Sequence, residues 1–145
     1  MSREGTERTP AADSPLPRVR EGVKALVVVG GRVLLVQERH ADGQRFWTLP
    51  GGGLEPGEPP VAGLKRELRE ELYCPVAVGD RVAEFWYAHV RPGLALSRYA
   101  VFDCRALGQV VPSTQEGVLD YQWSRPSDPP ARTVPQVGRL LARVG

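Results

Sequence analysis

The sequence predicts an α+β domain, a mixed β-sheet with two helices packed on it. Three observations carry that prediction. Two β-branched runs joined by Gly-Gly read as a hairpin. One stretch in the middle of the chain and one at its end carry helical signals. The order along the chain is strands, helix, strands, helix, which suits helices laid on a sheet. The 145 residues fit one domain with a sizeable core.

The chain opens with MSREGTERTPAADSPLPR, rich in Pro, Ser, Thr and charge. It reads as a disordered tail over residues 1–19, leaving residues 20–145 as the domain. It has no apolar core and is not a signal peptide. VKALVVV (Val23 to Val29) and RVLLVQE (Arg32 to Glu38) are the hairpin strands. The polar loop RHADGQR follows, then a short apolar piece from Phe46 to Leu49. In GGGLEPGEPP, Gly and Pro make up seven of ten residues, so irregular structure is expected. Pro59-Pro60 opens a helix to about Leu72, because a first-turn proline lacks only an N–H that has no intrahelical partner. Pro75 stops it. Val76 to Val90 and Leu94 to Cys104 read as strands around a turn at Arg91-Pro92-Gly93. Leu119 to Trp123 is a further short strand. PSDPPART then leads into an amphipathic helix from Val134 to Val144.

Composition narrows the function classes. The hydrophobic fraction of 41% and charged fraction of 25% are ordinary for a soluble domain. A net charge of +2 argues against a long nucleic-acid track or an anionic membrane surface. No apolar run approaches the roughly 20 residues of a membrane-spanning helix. Cys74 and Cys104 are far apart in sequence, with no histidine at metal spacing. They form neither a zinc site nor a disulfide framework, and two reduced thiols fit a cytoplasmic protein. Lysine occurs only at Lys24 and Lys65. The arginines that replace it suit a grip on phosphate or carboxylate, although a coding bias gives the same composition.

The stretch KRELREEL, Lys65 to Leu72, raises the functional question. At about 100° per residue, Glu67, Glu70 and Glu71 fall within an arc of about 100°. Val61, Leu64, Leu68 and Leu72 form the adjoining apolar stripe, so the acids border the buried face. One reading is a surface helix in which Lys65, Arg66 and Arg69 offset the repulsion. The other is a divalent-cation site, since Mg²⁺ takes oxygen ligands from one or two carboxylates plus substrate phosphates. Gly51, Gly52 and Gly53 just upstream favour the second, because they let backbone approach the helix closely.

From Gly52 the pattern is glycine, five residues, Glu58, seven residues, Arg66-Glu67-Leu68, one residue, Glu70-Glu71. It resembles the Nudix box, with every charged position at the right spacing. FWTLPGG and the upstream hairpin also look like this family. The resemblance implies an α/β/α Nudix sandwich. It implies hydrolysis of the P–O–P bond in a nucleoside diphosphate linked to another group, with Mg²⁺ as cofactor and Mn²⁺ as a substitute. The metal ligands implied are the Gly52 carbonyl, Glu67, Glu70 and Glu71. Glu67, Glu70 and Arg66 are the implied catalytic set, Arg66 orienting the carboxylates, while Glu58 steadies the loop. Some members place the general base on a later loop, where Glu116 and Asp120 are the candidates. Arg39 and Arg45 flank the loop before FWTLPGG and could grip phosphates.

A chain of this size suits a small nucleotide substrate: a (d)NTP, an oxidised nucleotide, ADP-ribose or a nucleotide sugar. Homodimers are common in the family. Some members have lost catalysis and only bind nucleotides or proteins, so a silent binding module is the alternative. Two departures stand out. Tyr73 replaces the last glycine of the box, where a left-handed helix exit is needed, and Cys74 takes the final apolar position. Gly63 should weaken the helix slightly. Phe85, Trp86 and Tyr87 are consecutive on a strand and cannot all face the core; one of them could line a base-stacking pocket. His40 and His89 are assigned no role.

Overall fold

The computed structural model describes residues 18–89 and 95–144. The elements are β1 (Arg18–Val29), β2 (Arg32–Arg39), β3 (Arg45–Thr48), β4 (Gly51–Gly53), α1 (Pro60–Leu72), β5 (Val76–His89), β6 (Ala95–Ala106), a 3₁₀ turn (Thr114–Glu116), β7 (Asp120–Ser124) and α2 (Pro135–Leu141). The strands form a seven-stranded mixed sheet along the path β3-β2-β1-β6-β5, with β4 on β1 and β7 on β2. Among the described strands only β1 and β6 pair in parallel, in register from Arg18 opposite Ala95 to Val27 opposite Cys104. β1 is therefore the spine of the fold. Its last residues pair with β2 and its middle with β4.

Each sheet face carries its own core. On one face Leu64, Leu68 and Leu72 of α1 pack with Val23, Ala25 and Val27 of β1 and with Leu34 and Val36 of β2. On the other, Val137 and Leu141 of α2 pack with Leu26, Val33, Leu35 and Val101. The alternation along β2 divides its side chains between the two cores. The result is the helix–sheet–helix sandwich expected from the sequence.

Several expectations shift. Composition ends the tail at residue 19, yet Arg18 and Val19 belong to β1, recruited by parallel pairing with β6. A composition-based boundary has no access to a partner some 75 residues away. Residues 1–17 and the turn at Arg91-Pro92-Gly93 lie outside the described residues. Val61, placed in the core stripe, is 41% exposed; it is too near the helix start to reach the sheet. The second helix ends at Leu141 rather than Val144.

The largest correction concerns Gly51 to Gly53, which form β4 rather than irregular loop. Gly22, Val23 and Lys24 face Gly53, Gly52 and Gly51. Glycine makes this strand and permits its close fit. Gly51 has φ +136°, and a Cβ there would lie 2.1 Å from the Val23 carbonyl oxygen. Flanking bonds from Ala25 N–H to the Pro50 carbonyl (2.9 Å) and from Leu54 N–H to the Glu21 carbonyl (2.9 Å) lock the segment on β1.

Candidate active site

Helix α1 starts after Pro59, with no side chain capping its N-terminus. Its far end is tied in by backbone. Tyr73 sits at φ 48°, ψ 32°, in the left-handed region, and its side chain is exposed. The helix thus makes the exit that a glycine would make, at the cost of a strained residue. Tyr73 N–H donates to the Arg69 carbonyl (3.0 Å) and Cys74 N–H to the Leu68 carbonyl (3.4 Å). The loop before the 3₁₀ turn satisfies the last carbonyls, with Ser113 N–H on Glu71 (2.7 Å) and Val111 N–H on Leu72 (2.8 Å). These bonds bring Glu116 over the same end of the sheet. Gly63, far from merely weakening the helix, is buried, and a Cβ there would stand 2.3 Å from Leu54 Cδ2.

Arg66 organises the acids. Its Nε and Nη2 donate to the two Glu58 carboxylate oxygens at 2.7 and 2.9 Å. Its Nη1 donates to Glu67 at 3.2 Å and to Glu70 at 3.0 Å, and its Nη2 also reaches the Gly53 carbonyl at 3.1 Å. One planar guanidinium therefore ties three carboxylates to the glycine strand, a task that needs its forked donors. The Arg66 hydrogen bonds, with the Glu55 N–H, hold the Glu58 carboxyl down at about 2.

Glu67 and Glu71 reach further in. The Glu67 carboxylate lies against Gly52 so closely that a Cβ there would stand 2.7 Å from Oε1. Burial raises its pKa, against the pull of Arg66. Glu71 is buried and accepts from Gly51 N–H at 3.0 Å; burial, opposed by Lys24, pushes it up to about 8. Lys24 is 5% exposed. Its Nζ lies 3.4 Å from the Gly51 carbonyl and 4.7 Å from the Tyr99 ring centroid. Burial alone would lower the Lys24 pKa, but Glu38, Tyr99, Glu71 and Glu67 outweigh it and keep the ammonium charged.

These groups wall a cleft of about 460 Å³ lined by Lys24, Glu38, Arg39, the three glycines, Glu67, Glu71, Tyr99 and Glu116. Of the residues singled out in the sequence, Gly52, Glu67, Glu71, Arg39 and Glu116 meet here. Glu70 is 43% exposed and held by Arg66, and it is absent from the cleft wall. Arg45 faces Arg39 across the β2–β3 ladder but does not line the cleft. Asp120 is exposed, opposite Gln37 on β2, and is also absent from the cleft wall. The carbonyl turned toward Lys24 is that of Gly51; the Gly52 oxygen lies on the β1 side, 2.9 Å from where a Gly22 Cβ would be. Among the described residues no three His, Cys, Asp or Glu side chains converge tightly enough to hold a metal alone.

Sequence reasoning missed Lys24, Glu38 and Tyr99. Lys24 carried a signal: it is the one charge in VKALVVV, and a charge inside a buried strand needs a partner. Glu38 and Tyr99 carried none, because only the pairing of β1 with β2 and β6 brings them beside Lys24.

The fold and cleft define a helix–sheet–helix domain that presents two inner carboxylates, a glycine strand and a buried ammonium to one ligand site. The model of the NUDIX domain family matches residues 18–144, and the chain belongs to that family. Over 90 residues it is 36% identical to the nucleoside triphosphatase NudI of Escherichia coli O1:K1, covering 57% of this chain and 63% of that protein. The chain thus matches less than two thirds of the length of that relative. Among solved structures it is similar to the Escherichia coli ORF135 protein, with 26% identity, a TM-score of 0.68, and coverage of 89% of this chain and 91% of that one. The MutT protein of Methanosarcina mazei Go1 shares the fold at 22% identity and a TM-score of 0.76, covering 90% and 96%. Among the described residues no helix is long and apolar enough to cross a membrane.

Proposed function

We propose that the protein hydrolyses the P–O–P bond of a small nucleotide, with a nucleoside triphosphate as the first substrate to test. The observation that carries this is the cleft in which Glu67 and Glu71 converge on the glycine strand beside Lys24. The name of the NudI relative, a nucleoside triphosphatase, supports the substrate class.

The donor set fits a divalent cation of the Mg²⁺ type. Two buried or half-buried carboxylates with no cationic side chain bonded directly to Glu71 are hard oxygen donors, and substrate phosphates complete such a shell. Glu67 and Glu71 would hold the ion, with Glu70, beside Arg66, as a further oxygen donor. When bound, the ion neutralises phosphate charge and makes water a better nucleophile. Mn²⁺ offers similar chemistry.

The chain's own groups supply the rest. Arg66 is a positioning residue, since it holds Glu58, Glu67 and Glu70 rather than facing the cleft. Lys24 and Arg39 place positive charge where phosphate oxygens would lie. A base must take a proton from water within reach of phosphorus. Glu70 and Glu116 are the candidates, and the position of Glu116 on the cleft wall supports it over Asp120.

The test is hydrolysis of nucleoside triphosphates, oxidised nucleotides, ADP-ribose and nucleotide sugars, with Mg²⁺ and with chelator, by wild type, Glu70→Gln and Glu116→Gln. Cation-dependent turnover that falls in one glutamate variant supports the reading and assigns the base. Binding without turnover on every compound would contradict it and leave a nucleotide-binding module.

A further inference from the structure

Lys24 is a charge that the acidic cleft has to manage. It shares the cleft wall with Glu38, Glu67, Glu71 and Glu116, and a buried ammonium on a flexible four-carbon stem seeks a carboxylate partner. Were it to settle on Glu67 or Glu71, it would occupy the oxygens that a divalent cation needs. It does not. Among the described residues Lys24 makes no ion pair with a side-chain carboxylate. Its Nζ lies instead 4.7 Å from the centroid of the Tyr99 ring and 3.4 Å from the Gly51 carbonyl oxygen.

The Tyr99 ring is fixed from the strands on either side. Gly22 is its neighbour across the parallel ladder of β1 and β6, and a Cβ on Gly22 would stand 2.5 Å from Tyr99 Cε1 and 2.6 Å from Cδ1. The space a side chain would fill at Gly22 is therefore the space the ring lies in. Phe85, opposite Tyr99 on β5, meets the ring from the other strand with centroids 5.3 Å apart and planes 40° apart. Gly22 and Lys24 are two positions apart on β1 and share a face, so a ring lying over Gly22 comes beside the Lys24 side chain. A ring face attracts a cation without carrying a full negative charge. It can hold the ammonium without consuming an acid.

We propose that Tyr99 is a positioning residue that holds the Lys24 ammonium off Glu67 and Glu71 and so keeps these carboxylates open to a divalent cation. The inference rests on the cation site of the proposed function. Gly22 belongs to the same device, as the gap that seats the ring. Without the ring the ammonium turns to the carboxylates beside it and competes with the cation for them.

The experiment is calorimetric binding of Mn²⁺ alone, without nucleotide, to wild type, Tyr99→Leu and Tyr99→Phe, each also in a Lys24→Met background, with thermal melts to show that each is folded. Tyr99→Leu should bind Mn²⁺ about 5- to 30-fold more weakly than wild type, the scale of a cation–π contact away from water. Tyr99→Phe keeps the ring and should bind like wild type. In the Lys24→Met background Tyr99→Leu should cost nothing, because no ammonium is left to compete. Tyr99→Met carries the same expectation as Tyr99→Leu should the leucine variant fail to fold. Equal affinity in wild type and Tyr99→Leu would overturn the proposal. So would a Tyr99→Phe variant as weak as Tyr99→Leu, or a loss that persists with Lys24→Met, which marks a ring that only packs. Failure of the hydrolase reading looks different: Mn²⁺ binds and weakens as predicted, yet no nucleotide is turned over. A wild type that binds no Mn²⁺ removes the cation site and this inference together.

Discussion

The Arg66 guanidinium, inside α1, holds both carboxylate oxygens of Glu58, at 2.7 and 2.9 Å, in the turn that joins the glycine strand to the helix. That fork sets the position of everything the helix carries into the cleft. Arg66→Ala should lower the melting temperature by about 5 °C, the scale of a lost charge-assisted bond pair in a domain this size. Arg66→Lys should recover only part, because an ammonium cannot make the fork. The pH dependence identifies the partner. Glu58 is held at about 2, so its contribution is present above the ordinary carboxylate value and is lost as pH falls toward 2. The melting gap between wild type and Glu58→Gln should narrow over that window; a gap constant with pH contradicts the pairing.

Glu71 gives the opposite sign. Its carboxyl is pushed up to about 8 by burial, whereas in the unfolded chain it ionises near 4.5. Between these values the unfolded state has released a proton that the folded state retains. The cation-free protein should therefore lose stability as pH rises from about 4.5 to 8. In thermal melts with chelator, Glu71→Gln should remove that part of the decline. Added Mg²⁺ should raise the melting temperature of wild type at pH 8 more than that of the variant.

Gly52→Ala tests the close approach of Glu67 to the strand. The new Cβ would lie 2.7–2.8 Å from the carboxylate atoms, which can swing aside at little cost to folding. Displacing a reacting group by about 1 Å costs on the order of 100-fold in rate. Activity should fall to that degree while the melting curve barely moves. Loss of fold and activity together would show that Gly52 serves the strand and not the site.

Tyr73→Gly should stabilise the protein by about 1 kcal/mol. A left-handed non-glycine residue costs roughly 1–2 kcal/mol, and glycine's extra freedom in the unfolded chain returns only part of it. Denaturant titration measures the difference. A destabilised variant would mean that the exposed Tyr73 ring makes a contact worth more than the strain.

Much of this molecule was legible in the sequence where the signal is local. The acids of α1 sit at 3.6-residue spacing beside Leu64, Leu68 and Leu72, and that pattern placed them at the edge of the core. The orienting role of Arg66 is implied by the resemblance to the family rather than by the spacing. What was hidden depends on pairing between distant segments. β4 looks like loop because its glycines have no side chains to alternate; only β1 turns it into a strand. Lys24 meets Glu71 across 47 positions, and Glu116 reaches the cleft through the Ser113 bond to α1. Arg45 was singled out for lying near the glycine motif in sequence. In the ladder it pairs with Arg39, one strand further out, and does not line the cleft.

The central claim is that Glu67 and Glu71 together hold the divalent cation that the substrate phosphates share. The most direct measurement is steady-state hydrolysis of a nucleoside triphosphate by wild type and Glu67→Gln at saturating Mg²⁺, with thermal melts confirming that both are folded. The account predicts a loss of about 100-fold or more in kcat/KM with fold retained. An unchanged rate in folded Glu67→Gln would contradict it and move the chemistry out of the cleft.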